Sequence, residues 1–119
     1  MDQDIHFQHR TAFASGAATT YFRLPYRCTV ADINAIVQGD PGDDQTITVT
    51  HEPTVGGTST TIGTITFDSD IAAGATASLV KGDDGNTVLG EGEFLKFVTS
   101  AASAADVDID IELDPYARG

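Results

Sequence analysis

The chain has 119 residues, of which 40% are hydrophobic, six are Lys or Arg and eighteen are Asp or Glu, for a formal net charge of −12. That length suits one domain with a core of its own, and the apolar share is too high for a disordered chain. Such a charge excludes nucleic acid and anionic membrane as partners, because phosphate repels the surface.

The charge is unevenly spread. Residues 1–27 carry a net +1, whereas residues 28–119 carry −13. The N-terminal segment is therefore the part least repelled by an acidic partner. Cys28 is the single cysteine, which rules out an intrachain disulfide, and its apolar context YRCTV reads as a buried structural thiol. The start, MDQDIHFQH, lacks the basic and apolar regions of a signal peptide. No apolar run approaches the ~20 residues of a membrane-spanning helix. The expectation is a soluble protein made in the cytoplasm.

Thr, Val, Ile, Gly and Asp are abundant and Leu is scarce, a bias towards strands joined by turns. Residues 1–16 read as an arm in which IHFQH can form a short strand and ASGAA a small-residue hinge. TTYFRL follows as a strand that stops at Pro25. RCTVADINAIVQ is the strongest core strand. Cys28 and Val30 lie on one parity and Ile33, Ala35 and Val37 on the other, which suggests a bulge near Ala31–Asp32 or a strand buried on both faces.

After the turn GDPGDD, the segment QTITVTHE alternates, with Ile47 and Val49 facing in and Thr46, Thr48 and Thr50 facing out. Gly56–Gly57 signals a hairpin to TIGTITF. DIAAGATAS is a connection, SLV a brief strand and KGDDGN a turn leading into TVL. GEGE reads as a turn and not a phosphate loop, since it leads into a strand and carries carboxylates. The strand it opens is expected to bury Phe94, Leu95, Phe97 and Val98.

DVDIDIELD closes the domain. Val107, Ile109, Ile111 and Leu113 repeat at period two, so the segment is extended and Asp106, Asp108, Asp110, Glu112 and Asp114 share the opposite face. Those charges are expected to discourage edge-to-edge pairing and to favour solubility, and the face meets either a cross-strand Lys96 or Arg118 or only water and salt. The reading is an all-β, antiparallel β-sandwich of seven to nine strands. It divides into an N-terminal arm (1–16), the sandwich (17–115) and a short tail (116–119).

Convergent catalytic chemistry is not visible. In HFQH, the i,i+3 spacing that suits a metal on a helix puts His6 and His9 on opposite faces of a strand. His51 and Glu52 are neighbours that point apart. Aspartates cluster in three turns (Asp40, Asp43 and Asp44; Asp68 and Asp70; Asp83 and Asp84), but none matches a calcium loop, and turn chemistry is preferred to a calcium site. No catalytic residue, metal or cofactor is assigned. Aromatic and basic residues interleave near the N-terminus: Phe7, Arg10, Phe13, Tyr21, Phe22, Arg23, Tyr26 and Arg27. These are residue types enriched in protein interfaces, and they serve equally well to close one end of a core.

The layout CTVADINAIVQGDPGDDQTITVTHEP, a Gly-rich hairpin, TIGTITFDSDIAAGATAS and GEGEFLKFVTSAASAADVDIDIELDP resembles the small β-sandwich proteins that decorate tailed-bacteriophage capsids. The resemblance spans Cys28 to Pro115. It departs from the pattern at Glu93–Phe94, where Asp and an aliphatic are more usual, and in the strongly acidic last strand. It implies a jelly-roll-like cement protein on the outer surface of the virion capsid. Such a protein binds the major capsid protein, often as a homotrimer, through its arm and one end of the sandwich. The alternative is a carbohydrate- or receptor-binding module of a phage tail or fibre, which the lack of Trp disfavours.

Overall fold

The computed structural model describes residues 5–10, 19–38, 45–67, 74–85, 87–99 and 106–115, with Arg10 described by its backbone alone. These form nine strands: β1 (Ile5–Arg10), β2 (Thr19–Arg23), β3 (Cys28–Val37), β4 (Gln45–Glu52), β5 (Thr60–Phe67), β6 (Thr76–Ser78), β7 (Val80–Lys81), β8 (Phe94–Thr99) and β9 (Val107–Pro115). They build two sheets, one of four strands in the order β1-β9-β3-β6 and one of five in the order β2-β8-β4-β5-β7. Every pairing is antiparallel. The fold is an all-β sandwich.

The core lies between the sheets, filled by the inward residues of alternating strands. From the four-stranded sheet come Val30, Ile33, Val37, Ile109, Ile111 and Leu113; from the five-stranded sheet come Ile47, Val49, Ile65, Phe67, Leu95 and Phe97. Each side chain of this size gains roughly 1.5–3 kcal/mol on full burial.

The phase change in β3 is a bulge. Val30 pairs with Leu113 and Asp32 with Glu112, leaving Ala31 as the additional residue. That extra residue is why Cys28 and Val30 before it, and Ile33, Ala35 and Val37 after it, all reach the same core. A second irregularity falls between β4 and β5, where Val49 pairs with Gly63 and Thr50 with Thr61. Gly63 is required there: a Cβ would stand 2.4 Å from the Val80 carbonyl oxygen.

SLV does not form one strand. β6 belongs to the four-stranded sheet and β7 to the five-stranded sheet. The chain crosses between them at buried Leu79, whose amide donates to the Ile33 carbonyl at 2.7 Å. In β8 the expected burial of Phe94 and Val98 is also corrected. Strand parity takes Leu95, Phe97 and Thr99 inward and leaves Phe94 and Val98 half-buried on the outer face.

β9 alternates as its sequence requires: Val107, Ile109, Ile111 and Leu113 are buried and the acids between them are half-buried on the outer face. It is an internal strand, however, flanked by β1 and β3. Its charges therefore guard a sheet face, not an edge.

Candidate partner-binding surface

The aromatic and basic residues near the N-terminus separate into distinct settings. Phe7 on β1 points between the sheets, where its ring centroid lies 5.6 Å from that of Phe22 on β2 and 6.2 Å from that of Tyr26. All three are partly buried against the core. The Tyr26 hydroxyl is buried without a hydrogen-bond partner among the described residues. Burial, and then the neighbouring Cys28, push its pKa up. Burial and then Asp114 likewise push the Cys28 thiol up to about 11, so it remains protonated and unreactive at neutral pH. This part of the set closes the core beside β1 and β2.

Tyr21 and Arg23 face the other way. On β2 they alternate with Phe22 and so occupy the outer face of the five-stranded sheet, at its edge. Tyr21 meets Phe94 of β8 edge-to-face at 6.1 Å. The Arg23 guanidinium lies over the turn before β8, with Nη2 3.3 Å from where a Cβ on Gly92 would stand. Gly92 adopts a φ of 81° and donates its amide to the Leu24 carbonyl at 2.9 Å. A glycine at this turn therefore serves both the left-handed backbone and the seat of the arginine. Tyr21, Arg23 and Phe94 form a contiguous aromatic and cationic patch on an acidic molecule.

The remaining residues lie apart. Arg27 is exposed beyond the end of β2. Arg10 stands opposite Asp108 in the β1–β9 register. Phe13 lies outside the described residues, as do Asp40, Asp43, Asp44, Asp68 and Asp70. Among the described residues, no three His, Cys, Asp or Glu side chains group as metal ligands would.

The structure places one of the two candidate counter-charges for β9, and not on its acidic face. Arg118 lies outside the described residues, and Lys96 is in the opposite sheet, where its Nζ lies 3.2 Å from Glu52. β1 and the residue after β3 supply partners instead. His6 places Nδ1 3.0 Å from Asp110 and Nε2 3.8 Å from Glu112. Gln8 donates to Asp110 at 3.0 Å and Gln38 to Asp108 at 2.9 Å.

Two polar pairs beside the patch were not foreseen from sequence. His51 and Glu52 do point apart, and each finds a partner. His51 Nε2 lies 2.6 Å from Glu93 Oε1, which also accepts the Gly90 amide at 2.7 Å. Glu52 accepts the Gly56 amide at 3.0 Å and pairs with Lys96. Glu93 is held below the ordinary carboxylate pKa mainly by the Gly90 amide and further by His51, against the opposing effect of burial. Glu52 is lowered in the same way by the Gly56 amide and Lys96. These pairs pin two turns at the end of the five-stranded sheet, one of them the seat of Arg23.

Compared with known protein families and with curated proteins, the chain matches no family model and no curated sequence.

Proposed function

We propose that this chain is a structural virion protein that attaches to the outer surface of a tailed-phage capsid and stabilises the shell. The reading rests on the motif layout from Cys28 to Pro115 that resembles capsid decoration proteins. The chemistry of the sandwich is in keeping with it. Buried His51, with Glu93, and buried Glu52 serve turns, and the outward cluster of Tyr21, Arg23 and Phe94 is suited to a protein partner. Attachment is mechanical in this reading: interface area spread over neighbouring capsid subunits resists the pressure of packed DNA.

The test is co-sedimentation with expanded shells assembled from the major capsid protein of the same virus. Saturable binding in a fixed ratio to capsid subunits is expected, together with a raised shell melting temperature. Tyr21→Ala and Arg23→Ala should each weaken binding by about tenfold, the scale of an interface anchor. Absence of binding at micromolar protein would overturn the proposal.

A further inference from the structure

The edge strand β1 carries two histidines with opposite surroundings. His6 lies on the outer face, its ring nitrogens directed at Asp110 and Glu112 of β9. The register sets Asp32 and Asn34 of β3 just beyond those two acids, and Gln8 follows His6 on the same face of β1. Three positions along, His9 lies on the inner face. Its ring stacks on Phe97 with centroids 5.6 Å apart, meets Phe22 at 5.9 Å, and places Nε2 3.0 Å from Thr20 Oγ1. From β9, β2 and β8 it faces Ile109, Thr20, Phe22 and Phe97, none of which is ionisable.

Protonation therefore acts in opposite senses at the two rings. A cationic His6 is attracted to two carboxylates that only a docked β1 provides. A cationic His9 would be stranded among aromatic rings, with one hydroxyl as its polar partner among the described residues. Among the described strands β1 pairs with β9 alone, an edge attachment that can open without unpairing any other strand.

We propose that β1 is a pH-windowed strap, held on the sandwich when His6 is charged and His9 is neutral, and loosened on either side of that window. Burial lowers the His9 pKa, in keeping with the apolar setting of its ring. The signs follow. Stability gained from charged His6 depends on its two carboxylate contacts and is lost when the ring gives up its proton at higher pH. For His9, stability is lost as pH falls, because the open strand takes up a proton more readily than the docked one. Opening uncovers the β9 edge and the rings of Phe22 and Phe97, a strand-shaped recess.

The experiment is hydrogen exchange of the β1 amides in the whole protein from about pH 4.5 to about pH 8.5, a range that spans imidazole titration. Rates are corrected for intrinsic exchange and referenced to β4. Protection should pass through a maximum. On the alkaline side it should fall roughly two- to fivefold, the scale of an exposed ion pair. On the acid side opening should rise towards about tenfold per pH unit, the one-proton limit. His6→Gln should remove the alkaline fall and His9→Phe the acid one. If a variant fails to dock β1, NMR titration of the two wild-type rings decides, because each limb must share its midpoint with one ring. A flat or monotonic wild-type profile overturns the proposal, as do limbs that match neither ring.

Discussion

His51 and Glu93 stand 42 positions apart in the chain and 2.6 Å apart in the fold, joining the end of β4 to the turn that opens β8. The same carboxylate oxygen accepts the Gly90 amide, so one side chain closes its own turn and ties it to the neighbouring strand. Glu93→Ala is expected to cost about 1–3 kcal/mol, because it leaves the buried His51 ring and the Gly90 amide without an acceptor. Glu93→Gln keeps an oxygen in place and should cost less. Urea denaturation at neutral pH measures both.

The same pair gives stability a pH dependence of known sign. Glu93 and Glu52 both have depressed folded pKa values, chiefly from the Gly90 and Gly56 amides. Their contribution is present above the unfolded carboxylate value of about 4.3 and is lost as pH falls through the folded values. The urea midpoint should therefore drop between about pH 6 and about pH 3. The drop should be smaller in Glu93→Gln, which has no proton to bind there.

Lys96 and Glu52 form the second test. Lys96→Met removes the cation from a carboxylate that is only 2% exposed and should destabilise the fold. Adding Glu52→Gln should recover part of that loss, since the charge needing a partner is gone while the Gly56 amide keeps its acceptor. A double-mutant cycle in urea gives the coupling. Additive effects would mean that the two groups do not interact.

Gly63→Ala brings a methyl against the Val80 carbonyl, and the backbone of β7 cannot move aside without losing its pairing. The expected cost is about 1–3 kcal/mol, with loss of exchange protection concentrated in β7 and the facing part of β5.

Deletion of Ala31 addresses the β3 bulge. Without the extra residue, keeping the β9 register beyond it would turn Cys28 and Val30 outward, and keeping theirs would turn Ile33, Ala35 and Val37 outward. Either way several core side chains are lost, and the deletion should abolish cooperative unfolding. Ala31→Ser keeps the residue count and should fold normally.

Much of this architecture is legible in the sequence because strand burial leaves a period-two trace. The parity break at Ala31, the run from Val107 to Leu113 and the hairpin at Gly56–Gly57 are local signals, and each corresponds to a local feature. Partner choice leaves no such trace. His51 reads as a surface residue until β8 is set beside β4, and nothing in IHFQHR says that its neighbour lies at the far end of the sequence. Phe7, Phe22 and Tyr26 carry the same interface-like composition as Tyr21 and Arg23. Strand parity sends Phe22 inward and its neighbours outward, and only the packing shows Phe7 and Tyr26 joining it.

The pairing of β1 with β9 also sets an order in time. During synthesis β1 emerges before every other described strand, and the strand it needs emerges after them all. Until then Phe7 and His9 have no completed groove to fill, and the slot between β1 and β3 stands open. Closing so long a loop before any contact rewards it is slow. Pairing of β9 brings its acidic side chains between β1 and β3 and completes the four-stranded sheet, so it is the step at which salt should most strongly influence the folding rate.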